Sequence, residues 1–188
     1  MHTIVAWDRS ILRTINASWH NPFLDGIFPF LRNAEMWVPL YFFLILLVLF
    51  NFKKTSFWWI LFAAITIMLS DFISSDLIKG NIFRLRPCND PAISQWVRIL
   101  PGLHFPQSSS FTSSHATNHF AMAMFFFSTL KNSIGKWGWL FFAWATAICY
   151  AQLYVAVHYP TDIICGALIG LLIGFVSGKL FNNKWGLA

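Results

Sequence analysis

His158 and Asp162 lie four residues apart in Ala151-Gln-Leu-Tyr-Val-Ala-Val-His158-Tyr-Pro-Thr-Asp162, where one long apolar stretch ends and the next begins. Two more polar clusters occupy the same kind of boundary: Lys79-Gly-Asn-Ile-Phe-Arg84-Leu-Arg86-Pro87 and Thr112-Ser113-Ser114-His115. Together these residue types suit work on a phosphate ester. Lys79 and Arg86 supply charge, and the forked donors of an arginine match two phosphate oxygens. Ser113 or Ser114 can cap the following helix, whose free backbone amides and dipole favour an anion. Two histidines, His115 and His158, offer a nucleophile and a proton donor. Asp162 suits the first turn of the next helix, from which a carboxylate can fix the tautomer of His158 and stabilise its cationic form.

The elements that must position these residues are apolar helices. Of 188 residues, 57% are hydrophobic and only 11% charged, far from the soluble average. Four stretches approach or exceed the roughly 20 residues a helix needs to cross a bilayer: about Met36 to Phe52, Ser56 to Ile78, Lys136 to Val157 and Pro160 to Leu180. A fifth, about Ser114 to Leu130, starts polar but is strongly apolar from Phe120 to Phe127. The expected fold is all-α, a polytopic transmembrane bundle of five spans. Residues 1–35 carry Asp8, Arg9, Arg13, Asn16, His20, Asn21 and Asp25, too many polar groups for hydrocarbon. Ile4, Val5, Ile11, Leu12 and Ile15 nevertheless fall at helical spacing, which predicts an amphipathic helix lying in the interface. A sixth, weakly hydrophobic span is the alternative. No cleavable signal is expected, because the start lacks a basic flank followed by an apolar core. Cys88, Cys149 and Cys165 suggest no disulfide framework. The organisation is thus an N-terminal segment, 1–35, and a membrane domain, 36–182. Within it the 79–112 connection is too long to be passive.

Five spans put all three polar clusters on one face. The opposite face carries Lys53, Lys54, Lys131, Lys136, Lys179 and Lys184 and no acid, largely in short loops, where positive charge marks the cytoplasmic side. The clusters are therefore expected to face outward from a bacterial inner membrane, with the C-terminus in the cytoplasm. Singly, each cluster has an ordinary explanation: cations snorkelling to headgroups, a helix cap beside a solvent-facing histidine, a turn with a capping acid. All three at one depth point instead to function.

These clusters resemble the three signature motifs of the type 2 phosphatidic acid phosphatase superfamily, the metal-independent membrane lipid phosphatases. That pattern is Lys, six residues, Arg-Pro; then Pro-Ser-Gly-His; then Ser-Arg, five residues, His, three residues, Asp. Lys79, Arg86 and Pro87 match the first motif, spacing included. Ser113 and His115 match the second, with Thr112 for Pro and Ser114 for Gly; His158 and Asp162 match the third, with Ala151-Gln152 for Ser-Arg. The resemblance covers about Met36 to Leu180. It implies that His158 attacks phosphorus to form a phosphohistidine and that Asp162 orients it. It further implies that His115 protonates the leaving oxygen, while Lys79, Arg86, Ser113 and the amides near Ser114 hold the phosphoryl oxygens. Gln152 can donate to phosphate but carries no charge, an expected loss of about 1.5–3 kcal/mol of binding. Arg84 is a candidate to compensate.

The implied partners are a lipid phosphate and membrane lipids. Undecaprenyl pyrophosphate, phosphatidylglycerol phosphate, phosphatidic acid and lipid A phosphates all fit, with no cofactor, no metal and no nucleic acid expected. Asp71, two turns before Lys79, is expected to support a neighbouring helix. Two rivals stay open. His115 and His119, one turn apart, with His158 and Asp162 permit a zinc-dependent intramembrane hydrolase, although Lys79 and Arg86 would repel a dication. A chain with Gln152 could also be a degenerate relative that binds or moves a phospholipid.

Overall fold

The protein is described here by a computed structural model covering residues 2–103 and 105–187. Among these residues there is no strand. The helices are α1 (His2–Arg13), α2 (Pro22–Leu31), α3 (Val38–Asp71), α4 (Ser114–Ile134), α5 (Leu140–Tyr154) and α6 (Pro160–Lys184). All three cysteines are free.

Helix α3 is two arms rather than one rod. At Lys53 the backbone leaves the helical region, with φ 31° and ψ −92°. Tyr41 and Ile45 from the first arm then share one cavity with Ala64 and Ile67 from the second. Tyr41 and Ile67 would stand about 39 Å apart on a straight helix, so the chain must reverse. The second arm continues through a π-helical stretch, Phe72–Ile78, into a last turn at Lys79–Asn81. Two stretches, Ala34–Asn81 and Pro160–Lys184, are long and apolar enough by themselves to cross a membrane.

Glycines determine how α4 and α6 meet. Gly166, Gly170, Gly174 and Gly178 recur every four residues and form one face of α6. A Cβ at Gly166 would lie 2.7 Å from the Ser113 carbonyl oxygen; at Gly170 and Gly174 it would run into the carbonyls of Thr117 and Ala121. Only hydrogen allows backbones this close, the small-residue packing familiar between membrane helices. Rising positions on α6 meet rising positions on α4, so the two helices are parallel. Their N-termini, which bear His115 and Asp162, are therefore side by side. The other ends converge as well: Trp185, just past α6, stacks on Trp58 at 4.5 Å between ring centroids, next to the reversal at Lys53. Between the ends lies an aromatic core of Trp59, Phe125, Phe126, Trp144 and Phe181.

Residues 2–31 form two α-helices joined through a short π-helical stretch, Thr14–Ser18. Two of the polar groups that disfavour hydrocarbon there, Asp8 and Asn16, turn inward onto protein, while Arg13, His20 and Asn21 stay exposed. Asp8 and Asn16 are fully buried, whereas Ile4 and Trp7 are exposed. Asn16 donates to the carbonyls of Tyr154 (2.7 Å) and Arg98 (2.9 Å) and accepts from the Arg98 N–H (2.7 Å). That set satisfies a buried amide. The long connection also packs inward: Ile93 is buried with Leu12 of α1 and with Tyr159.

Candidate active site

His158 occupies the turn between α5 and α6. Ala156 there has φ 57°, a conformation costing roughly 1–2 kcal/mol for an L-residue. Backbone bonds hold the turn: Cys88 N–H donates to the Ala156 carbonyl at 2.9 Å, and Val157 N–H to the Gln152 carbonyl at 3.1 Å. The imidazole is 2% exposed.

Its surroundings select a tautomer. Nε2 lies 3.2 Å from Nη1 of Arg86, and a guanidinium only donates. Nε2 is therefore the unprotonated, acceptor nitrogen, and Nδ1 carries the hydrogen. Nδ1 faces the Ser110 hydroxyl at 3.4 Å and Asp162 Oδ2 at 3.7 Å. Burial holds this neutral form by pushing the His158 pKa down to about 4, against the opposing pull of Asp162.

Asp162 is saturated. Oδ2 accepts from Ser110 (2.5 Å) and from the Tyr159 N–H (2.8 Å), the latter an N-terminal cap of α6. Oδ1 accepts from Nη1 of Arg84 at 2.6 Å. The other end of Arg84 meets Asp8 at 2.6 Å, and its plane lies over the Tyr159 ring. Asp8 also accepts from the Thr161 N–H (2.9 Å) and hydroxyl (2.6 Å). Arg84 is thus bound to two carboxylates, so it is not available as a substitute phosphate clamp for Gln152.

Arg86 is buried and clamped by carbonyls: Nε to Ser108 (2.9 Å), Nη1 to Val157 (3.1 Å) and Nη2 to Ser109 (3.1 Å). Pro87 follows as the first residue of a short 3₁₀ turn. Lys79 Nζ donates to Ser114 Oγ at 2.7 Å. Ser113 caps α4, its hydroxyl accepting from the Ala116 N–H at 3.3 Å, and its own N–H reaches the Asp162 carbonyl at 3.2 Å. Asp71 accepts from Asn118 (2.9 Å) and Ser75 (3.2 Å), tying the second arm of α3 to α4. The fold thus links Lys79 to Ser114, Ser113 to Asp162, and Arg86 to His158.

His115, on the first turn of α4, lines a cavity of about 460 Å³ with Arg32, Asn33 and Leu103. His119 is differently placed: its Nδ1 lies 2.8 Å from the His115 carbonyl and its ring packs on Trp144. Among the described residues no three His, Cys, Asp or Glu side chains form a group able to hold a metal ion. Gln152 is 1% exposed, and neither atom of its amide has a hydrogen-bond partner.

Three residues in this neighbourhood escaped the sequence motifs: Asp8, Ser110 and Arg32. The run Ser108-Ser109-Ser110 was a local signal of sorts, since three hydroxyls precede the helix cap. Asp8 and Arg32 carried none.

The PAP2 superfamily model matches residues 57–185. The lipid A 4'-phosphatase of Bacteroides thetaiotaomicron is 31% identical over 86% of this chain and 73% of its own length. The lipid A 4'-phosphatase of Porphyromonas gingivalis is 28% identical over 98% and 78%. In fold, the chain resembles the crystal structure of a PAP2-type phosphatidylglycerolphosphate phosphatase from Bacillus subtilis. The TM-score is 0.72 at 19% identity, covering all of this chain and 90% of that one.

Proposed function

The chain belongs to the PAP2 superfamily and is a phosphoric ester hydrolase of the membrane, and on that premise we propose that it dephosphorylates a lipid through a phosphohistidine on His158. The observation that carries this reading is the selected tautomer: Nε2 is the unprotonated nitrogen, its electron pair directed at Arg86.

In the proposed reaction Nε2 attacks phosphorus as the bond to the leaving oxygen breaks. His115 gives its proton to that oxygen. Nδ1–H stays directed at Ser110 and Asp162, which stabilise the positive charge appearing on the ring. Water then attacks the phosphohistidine, His115 takes a proton back, and phosphate leaves. Arg86, Lys79, Ser113, Ser114 and the free amides at the start of α4 hold the phosphoryl oxygens as charge develops there. Gln152 contributes a neutral donor. The substrate class is a phosphorylated glycolipid of the lipid A kind, supported by two bacterial relatives named for that activity.

The proposed arrangement has five crossings: the two arms of α3 with their extension to Ile78, then α4, α5 and α6. Residues 1–35 lie at the interface, and 36–182 form the phosphatase domain. The parallel α4 and α6 support one sidedness. Lys131, Lys179 and Lys184 sit toward their C-terminal ends, and the Trp58–Trp185 stack brings the Lys53–Lys54 turn to the same end. That end is cytoplasmic by the charge rule, which leaves the site facing outward from a bacterial inner membrane.

The test is phosphate release by the purified protein from lipid A, undecaprenyl pyrophosphate, phosphatidylglycerol phosphate and phosphatidic acid. Release from lipid A lost in His158→Ala, with an acid-labile phosphoprotein trapped during turnover, is the expected outcome. Binding of these lipids with no turnover of any would overturn the enzymatic reading.

A further inference from the structure

Five of the six arginines have a visible employer. Arg9 pairs with Asp90, Arg84 with Asp8 and Asp162, and Arg98 with Asp25. Arg86 is held by carbonyls, and Arg13 lies over the Trp96 ring. Arg32 is the exception. It follows α2 and is half-buried, yet among the described residues its guanidinium has neither a carboxylate within 4 Å nor a hydrogen-bond acceptor.

Its location gives that isolation meaning. Arg32 lines the same cavity as His115, with Pro29, Asn33, Ala34 and Leu103. At about 460 Å³ the cavity is within the range of small-molecule sites. One cation and one histidine line the cavity, with no acid among the lining residues, an arrangement that an anion relieves.

Gln152, buried and uncharged, stands where the family motif has an arginine. Arg86 spends three N–H groups on carbonyls and Arg84 is consumed by carboxylates. We propose that Arg32, reaching in from the α2–α3 connection, binds the phosphoryl oxygens of the substrate and supplies the charge that Gln152 does not. The N-terminal segment is then part of the phosphate site. This rests on the phosphatase reading for its substrate, but the anion site can be tested without turnover.

The experiment is titration of purified protein in detergent with inorganic phosphate and orthovanadate, followed by calorimetry, alongside KM and kcat for the lipid substrate. Arg32→Gln should weaken phosphate binding and raise KM by about ten- to a hundredfold, the range for a lost bond to a charged group. Arg32→Lys, which keeps the charge but not the fork, should lose less and certify that the segment still folds. Adding Gln152→Arg to Arg32→Gln should restore much of the affinity. Phosphate affinity within twofold of the parent in Arg32→Gln overturns the proposal, as does a fall in kcat alone. A parent that turns over no lipid but binds phosphate through Arg32 leaves this site standing and removes the phosphatase reading.

Discussion

His158 and Asp162 do not touch directly: Nδ1 and Oδ2 are 3.7 Å apart, and the Ser110 hydroxyl, 3.4 Å from the first and 2.5 Å from the second, bridges the gap. The carboxylate orients the imidazole through a third residue drawn from the long connection. Ser110→Ala should therefore lower kcat by about 5- to 30-fold with little change in KM, in keeping with about 1–2 kcal/mol for a buried hydrogen bond. Steady-state kinetics that show a KM effect instead would place Ser110 in substrate binding.

Burial of His158 makes a prediction about pH. In the proposed reaction only the neutral imidazole attacks, and its pKa is held down to about 4. The acid limb of kcat/KM due to this group should therefore fall near pH 4, not near the ordinary imidazole value of about 6.5. The stability sign is the same. Between roughly pH 6.5 and 4 the unfolded chain takes up a proton that the buried ring refuses, so the native state weakens as pH falls through that window. Comparing the limb in the parent and in Asp162→Asn tests the assignment, because loss of the carboxylate should push the limb lower still.

Asp8 links the N-terminal helix to the site. It is fully buried and neutralises Arg84, which in turn holds Asp162. Asp8→Asn should cost about 1–3 kcal/mol of stability, the penalty for leaving a charged partner unmatched. Activity should drop as Arg84 shifts toward Asp162. Thermal melting in detergent combined with phosphate release will show whether both move together.

The glycine face of α6 should tolerate nothing larger than hydrogen at its centre. A methyl at Gly170 would run into the Thr117 carbonyl, whereas one at Gly26 meets nothing within 4 Å. Gly170→Ala is expected to cost about 1–3 kcal/mol, as overpacking does, and to lower phosphate release by separating Ser113 from Asp162. Gly26→Ala serves as the control and should leave both unchanged.

Much of the site was legible because its residues sit at fixed offsets within single segments. Lys79 with Arg86, Ser113 with His115, and His158 with Asp162 are each spaced by local chain geometry, so spacing alone could nominate them. The all-helical class followed from long apolar runs, which report their helices without reference to any partner. Asp8, Ser110 and Arg32 are another matter. Asp8 meets residues 76 and 153 positions away, and no local pattern distinguishes such an acid from a polar residue on an exposed helix face. The same holds for Asn16, whose amide is buried by contacts 82 and 138 positions along the chain.

Composition and periodicity by themselves determined an apolar helical protein, and motif spacing nominated two histidines, a carboxylate and two cations as a candidate phosphate site. Tertiary structure alone decided which nitrogen of His158 is free, that Ser110 stands before Asp162, that Arg84 is spent, and that Arg32 is not. The physical reason is that each of those outcomes depends on which donor and acceptor meet in space. Here that meeting is imposed by two parallel helices, brought together through a face of glycines.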